Sequence, residues 1–216
     1  MQFTRIVAIR HGETAWNKDT RLQGHLDIAL NETGRWQAQR VAHALRDEPV
    51  AAIYSSDLQR AHHTAQAISQ AVQCPVHTVR HLRERSFGHF EGKTWAELET
   101  DWPAQAQAWR QRVPDFAPTG GETLLQLRAR IEQALNELAA RHIGEQIVLV
   151  AHGGVLDVLY RIATQLDLQA PRTWQLGNAA INRLLWTPQG TSLVGWGDVA
   201  HLSEAQEAAR DDTSTA

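Results

Sequence analysis

With 216 residues, of which 43% are hydrophobic, the chain is long enough to form one domain with its own core, and extensive disorder is excluded. Its net charge of -3 argues against a nucleic-acid-binding protein, and no run of about 20 apolar residues predicts a membrane span, so neither partner is expected. The single cysteine, Cys74, cannot form an internal disulfide, and the first residues lack the pattern of a signal peptide; both favour a cytoplasmic protein.

Apolar strand-like segments alternate with amphipathic helical segments along most of the chain. In chain order, we predict strand 5–9, helix 31–46, strand 50–54, helix 58–72, strand 76–79, helix 124–141, strand 146–151, helix 155–165 and strands 180–186 and 192–196. Residues 12–30 are a predicted loop, and Ser55, Ser56 and Asp57 are candidate N-cap residues for the helix that follows them. The alternation predicts an α/β fold, an open three-layer α/β/α sandwich with a mostly parallel central sheet.

Residues 83–120 interrupt this alternation. They are irregular except for a predicted helix pair that contains Trp95, Trp102 and Trp109. We expect this segment to be a small capping insertion within a single domain of residues 1–204, with its tryptophans mainly packed in a core. Residues 205–216 are polar, and we expect a frayed tail there.

Three predicted strand or helix boundaries carry cationic or glycine-rich sequences. Strand 5–9 leads into Arg10-His11-Gly12, strand 146–151 leads into His152-Gly153-Gly154, and Arg60 falls in the first turn of the helix after strand 50–54. Ligands of such sheets bind outside the carboxyl ends of the strands, so we expect these side chains to converge. Arginines match phosphate oxygens, and glycines such as Gly153 at a helix start allow the backbone to approach an anion. A phosphate site is the best prediction.

Other interpretations of these residues stay open. The histidines could bind a metal, although no HxH or HExxH spacing is present and Arg10 would repel a divalent cation. Arg60 alone could form a surface ion pair, and the two glycines alone could form a tight turn. The prediction rests on the coincidence of these features at neighbouring strand ends.

A signature motif and five further sequence blocks resemble the histidine phosphatase superfamily, which includes the cofactor-dependent phosphoglycerate mutases. Arg10-His11-Gly12-Glu13-Thr14 with Trp16-Asn17 is similar to its signature. The similarity continues, in the family's order, through RLQGHLDIALNETGRWQA, SSDLQRAHHTA, LRERSFGHFEG, GGET and VAHGG. The C-terminal third carries no further motif.

The resemblance implies a role for each matching residue. His11 is implied to be the nucleophile that becomes phosphohistidine, and Glu84 the proton donor to the leaving oxygen, with Glu91 as the fallback. Arg10, Arg60, His152, Asn17 and Gly153 are implied to hold the phosphoryl group, and Gln23 and Gly24 to touch the substrate. No metal and no cofactor is implied, because arginines supply the positive charge.

The resemblance favours a phosphomonoester hydrolase that acts on small phosphorylated metabolites. The segment after Glu84 is similar to the phosphatase branch, and the chain is shorter than typical mutases of the family. Against this, Arg110 and Arg112 lie in the insertion, where mutases place arginines for the substrate carboxylate. A mutase is therefore the alternative, and a non-catalytic phosphate-binding module is a further one. The oligomeric state stays undetermined.

Overall fold

The computed structural model describes residues 2–203, which form a six-stranded mixed sheet. The strands are β1 (Thr4–Arg10), β2 (Ala52–Ser55), β3 (Val76–Thr78), β4 (Gln146–Ala151), β5 (Ile181–Thr187) and β6 (Gly190–Asp198). Their order across the sheet is β3-β2-β4-β1-β5-β6. The strands from β3 to β1 are parallel, whereas β5 pairs antiparallel with β1 and β6 antiparallel with β5. The prediction of a mostly parallel sheet is confirmed.

Helices cover both faces of this sheet. They are α1 (Ala15–Lys18), α2 (Glu32–Leu45), α3 (Gln59–Val72), α4 (Trp95–Asp101), α5 (Pro103–Arg110), α6 (Leu124–Ala139) and α7 (Gly153–Thr164). Short 3₁₀ turns lie at Arg80–Leu82 and Gly88–Phe90. Buried residues of α2 and α3 pack in one hydrophobic cluster and those of α6 and α7 in another, so the predicted three-layer sandwich is confirmed.

Strand β1 shows why the central strands are apolar without alternation. Ile6 and Ala8 point into the cluster of α6 and α7, while Val7 and Ile9 point into the cluster of α2 and α3. Successive side chains of a strand face opposite sides, so a strand between two helical layers buries every residue. The same physical reason accounts for the six buried residues of β4.

The insertion has a small hydrophobic cluster of its own. Phe90, Leu98 and Ala106 are buried there, and Trp95, Trp102 and Trp109 pack against them as expected. The division into one domain of residues 1–204 with a capping insertion at 83–120 stays a prediction. The predicted tail at 205–216 lies outside the described residues.

Two local predictions are wrong. The predicted loop 12–30 contains the four-residue helix α1, whose N-terminus is stabilised by a capping box of Thr14 and Asn17. The N-cap of α3 is Leu58, which makes no side-chain cap bond. The Gln59 N–H is instead satisfied by Asp27 Oδ1 at 2.7 Å, a contact across 32 positions that no local pattern reveals. Asp57 forms a bidentate ion pair with Arg83, with both bonds at 2.7 Å.

Candidate active site

The two histidines that follow β1 and β4 lie side by side. These strands are adjacent and parallel, with Arg10 in register with Ala151, so the next residue of each strand emerges at the same edge. The ring centroids of His11 and His152 are 5.2 Å apart, with their planes inclined by 58°. Both are buried, His11 at 2% exposure. The structure therefore places the two histidines together at the carboxyl ends of the strands, as predicted.

Two arginines surround this histidine pair. Arg60, from the first turn of α3, is 1% exposed and donates to the carbonyls of Leu26 and Gly24, each at 2.8 Å. Arg10 donates through Nη1 to the carbonyl of Leu176. Within residues 2–203, neither guanidinium forms an ion pair, and the Nε atoms of both have no hydrogen-bond partner. Burial lowers the pKa of Arg60 to about 10, so it still carries its charge at neutral pH.

The imidazole of His11 is held in one tautomer. Its Nδ1 lies 2.7 Å from the carbonyl oxygen of Gly12, which can only accept, so Nδ1 carries the hydrogen and Nε2 has the free lone pair. Burial, then the charges of Arg60 and Arg10, lower the pKa of His11 well below its usual value. A neutral ring with Nε2 unprotonated is the form in which a histidine attacks phosphorus.

The imidazole of His152 lies in the same electrostatic environment as that of His11. Burial, followed by Arg60 and His11, lowers its pKa well below the usual value. Among the described residues, neither ring nitrogen has a partner. His152 is also the N-cap residue of α7, so its side chain lies where the free N–H groups of that helix begin.

Gly12 allows the loop after β1 to pass against α2. A Cβ at this position would lie 2.3 Å from the carbonyl oxygen of Gly34, so no other residue fits without a shift of the backbone. The Gly12 N–H donates to Thr64 Oγ1 of α3 at 3.1 Å, which fixes the peptide that follows His11.

Glu84 lies over the start of α7. Its carboxylate is 9% exposed and accepts from the N–H of Gly154, at 3.1 Å to each oxygen, and from the N–H of Arg85 at 2.8 Å. A Cβ at Gly153 would lie 3.6 Å from Arg10 Cζ and 3.8 Å from Glu84 Oε2. The structure therefore brings the carboxylate and the Arg10 guanidinium together above Gly153.

The remaining predicted residues lie at the border of this cluster. Asn17 Oδ1 is used in the capping box of α1, which leaves its Nδ2 available as a donor. Gln23 is buried, and its Oε1 has no partner within residues 2–203. Gly24 has a φ of +52° and presents its carbonyl to Arg60. Glu91 accepts from the N–H groups of His25 and Phe87 at 2.9 and 3.0 Å, so its contacts are with the main chain.

A cavity of about 470 Å³ adjoins Arg10, Gly153 and Gly154. Its other lining residues are Arg85, Phe87, Trp109, Arg112, Leu124, Leu127, Asp157, Arg172, Gln175, Leu176 and Gly177. Arg112 is bound to Asp157 at 2.6 Å. Arg110 does not line the cavity and instead pairs with Glu99. The two arginines noted in the insertion thus face different surroundings.

Several residues that contact or line the site were not predicted from the sequence. Asn178 donates through Nδ2 to the His11 carbonyl at 2.9 Å, and Leu176 accepts from Arg10. Arg85 lies 4.1 Å above the Trp109 ring, and Arg172 makes no hydrogen bond or ion pair with any residue from 2 to 203. Arg85 falls within a recognised block, but the stretch from 165 to 180 offered no sequence signal.

Residues 2–203 contain no group of three or more His, Cys, Asp or Glu side chains arranged to hold a metal ion. No helix among them is long and apolar enough to cross a bilayer. The expectation that the reaction needs no metal and no cofactor stays a prediction.

The fold and the site define a class: an α/β protein that surrounds a buried histidine pair with arginines suited to a phosphoryl group. The model of the histidine phosphatase superfamily (branch 1) matches residues 6–199, so the chain belongs to this superfamily. The resemblance inferred from the signature motif and the five blocks is thereby confirmed.

Named relatives agree with this assignment. The chain is 41% identical over 211 residues to phosphoglycerate mutase-like protein 4 of Arabidopsis thaliana, covering 94% of this chain and 89% of that protein. It is 40% identical over 205 residues to the metal-independent phosphoserine phosphatase of Arabidopsis thaliana, covering 94% and 84%. The solved structure of Bacillus stearothermophilus YhfR matches with a TM-score of 0.86 and 31% identity over 92% of this chain and 98% of that one. Phosphatase activity is the function that the family and these relatives support.

Proposed function

We propose that the protein is a metal-independent hydrolase of small phosphate monoesters that works in the cytoplasm through a phosphohistidine at His11. The observation that carries this proposal is the set of buried polar atoms that have no partner within residues 2–203: the donors Arg10 Nε and Arg60 Nε, and the two ring nitrogens of His152, one of which carries a hydrogen. Leaving a buried polar group unpaired costs about 1–3 kcal/mol, and more when the group is charged. A phosphoryl group between them offers the oxygens that these donors need.

In the first half-reaction, His11 Nε2 attacks phosphorus and the bond from phosphorus to the ester oxygen breaks. Glu84, in its protonated form, gives its proton to that oxygen, and the alcohol leaves. The charge of the transferring group spreads over three oxygens, where Arg10 and Arg60 stabilise it. Asn17 Nδ2 and the N–H group of Gly153 are further donors for these oxygens.

In the second half-reaction, water replaces the alcohol. Glu84, now a carboxylate, takes a proton from the attacking water, the bond between phosphorus and His11 breaks, and phosphate leaves. One residue therefore serves as acid and then as base, which is the reverse of the same proton transfer. Gln23 and Gly24 stay predicted substrate contacts beside Arg60, and Glu91 stays the secondary candidate for the acid.

The cavity favours a substrate with a second anionic group. The guanidinium groups of Arg85 and Arg172 form no ion pair within residues 2–203, and that of Arg85 donates only to the carbonyls of Glu122 and Phe116. Burial lowers the pKa of Arg85 to about 10, which shows how poorly this cation is solvated. A carboxylate or a second phosphate on the substrate would neutralise these arginines. A phosphorylated hydroxy or amino acid has this chemistry and matches the name of the phosphoserine phosphatase relative.

A mutase is the second candidate because Arg112 lies in the cavity wall. The two activities share the phosphohistidine and differ in whether water or a second hydroxyl accepts the phosphoryl group. A binding module without catalysis is the third interpretation, and the presence of His11, Glu84 and both arginines opposes it.

The test follows the phosphoryl group. We expect the purified protein to hydrolyse p-nitrophenyl phosphate, with EDTA having no effect, and a rapid acid-labile label to appear on His11. Interconversion of phosphoglycerates that requires a bisphosphoglycerate primer would favour the mutase. Phosphate binding without either activity would favour the binding module, and EDTA inhibition reversed by zinc would contradict the metal-free mechanism.

A further inference from the structure

Glu84 lies in a stretch without regular secondary structure. It falls between the 3₁₀ turns Arg80–Leu82 and Gly88–Phe90, so neither a sheet nor a helix fixes its main chain. A general acid works only when its carboxyl stays within hydrogen-bond reach of the leaving oxygen. Other contacts must therefore hold this segment.

Arg130 of α6 makes these contacts. Its Nη1 donates to the carbonyls of His81 and Arg83 at 2.6 and 2.8 Å, and its Nη2 donates to the carbonyl of Glu84 itself at 3.0 Å. One planar guanidinium thus binds three of the four carbonyls from residue 81 to residue 84. The Glu84 carbonyl accepts a further bond from His25 Nε2 at 2.8 Å.

Glu122 fixes Arg130 in turn. Its carboxylate accepts from Arg130 Nε at 2.6 Å and from Nη2 at 2.9 Å, a bidentate pair in which the side chains are only 18% and 16% exposed. The main chain of Glu122 also donates to the Ser86 carbonyl at 2.9 Å. The pair therefore holds the chain on both sides of Glu84, while the Glu84 carboxylate points away toward the N–H of Gly154.

We propose that Arg130, oriented by Glu122, is a positioning residue for the proton donor. The proposal rests on the assigned function of Glu84. Arg130 is not among the residues that line the cavity beside Arg10, so its hydrogen bonds act on the site through the segment that carries Glu84. Its charge also contributes to the lowered pKa of His152, and Arg130→Lys keeps that charge. A lysine cannot replace it, because an ammonium group lacks the planar fork that reaches three carbonyls and a carboxylate at once.

The experiment measures hydrolysis of a series of aryl phosphates that runs from the good leaving group p-nitrophenol to phenol. Arg130→Met should slow phenyl phosphate by about tenfold or more and p-nitrophenyl phosphate by less than about threefold, because proton donation matters most for a basic leaving oxygen. Glu84→Gln should show the same pattern more strongly. The double variant should be no slower than Glu84→Gln alone, since both changes remove one function.

The matched control is Arg128→Met on the same helix, where Arg128 pairs with Glu132 at the surface, and it should behave as the unchanged protein. Arg130→Lys and Glu122→Gln keep more of the local packing and serve if Arg130→Met does not fold. We expect both to reproduce the leaving-group dependence, and activity restored by lysine would overturn the positioning role.

Two failures are distinguishable. If Arg130→Met slows all esters equally, or adds fully to Glu84→Gln, Arg130 is merely structural and the proposed phosphatase is unaffected. If Glu84→Gln itself shows no leaving-group dependence, the acid role is wrong and the inference about Arg130 is overturned with it.

Discussion

The candidate active site has two ends that are built in different ways. The phosphoryl end consists of Arg10, His11, Arg60 and His152, which stand directly at strand ends or in the first turn of a helix. The substrate end consists of Phe87, Trp109, Arg112 and Arg172, which come from the insertion and from the segment between α7 and β5. The phosphoryl end is fixed by the central sheet. The substrate end depends on segments that can change without disturbing that sheet, so we expect specificity to reside there.

His11→Ala is expected to have the largest effect and tests the phosphoryl end. Loss of the nucleophile should lower kcat by at least about 10⁴-fold for every phosphate ester, because all of them use the same phosphohistidine. The fold should be retained, since the side chain removed lies at a strand end. Steady-state hydrolysis with circular dichroism checks both points, and His43→Ala at an exposed helical position is the control. A loss confined to some esters would contradict a shared nucleophile.

Gly154→Ala tests the border between the two ends. A Cβ there would lie 2.3 Å from Glu84 Oε1, so the carboxylate must move off the N–H of Gly154. We expect kcat to fall by about 10²-fold, the lower range for a positioned acid, with little change in the melting temperature. Gly195→Ala, where a Cβ meets nothing within 4 Å, is the matched control. Unchanged kcat would mean that Glu84 does not act from this position.

Arg172→Gln tests the substrate end. We expect kcat/KM to fall by about tenfold for phosphate monoesters that carry a carboxylate, which is about 1.4 kcal/mol, and to stay unchanged for p-nitrophenyl phosphate. The reason is that Arg172 lines the cavity with an unpaired charge but lies outside the phosphoryl end. Arg110→Gln, which removes an arginine paired with Glu99 outside the cavity, should change neither value. Equal losses for both kinds of ester would remove the distinction between the two ends.

His152→Gln tests folding stability, where we expect the smallest of these energetic effects. Activity should fall as well, because the variant loses a side chain of the phosphoryl end. Folding lowers the pKa of His152. Below about pH 6.5 the unfolded chain therefore binds a proton that the folded protein does not, and the free energy of unfolding decreases as the pH is lowered. For each pH unit below this value, the free energy of unfolding of the variant should decrease by up to about 1.4 kcal/mol less than that of the unchanged protein. Urea unfolding at about pH 5 and about pH 7.5 checks this, with His43→Gln as the control. An unchanged pH dependence would show that His152 is protonated in the folded protein.

The phosphoryl end could be predicted from the sequence because its residues directly adjoin strongly apolar strands. Strand β4 was predicted with the bounds that the structure shows, because its run of apolar residues lies between polar residues in the sequence. Glu84 became a candidate only through the resemblance, because its Arg-rich neighbourhood in the sequence would equally suit a carboxylate in a surface ion pair. Asn178 was missed because its hydrogen bond to the His11 carbonyl joins positions far apart in the chain. Arg172 was missed because only the folded chain brings it to the cavity. The same reason explains Asp27 at the start of α3.

The neighbouring positions of β1 and β4 join the beginning of the described chain to a segment near residue 150. During synthesis, His11 therefore leaves the ribosome long before His152 exists. Shorter nascent chains lack His152, so we expect affinity for phosphate or vanadate to appear only once β4 has inserted beside β1. Anion binding would thus report when these two strands have paired.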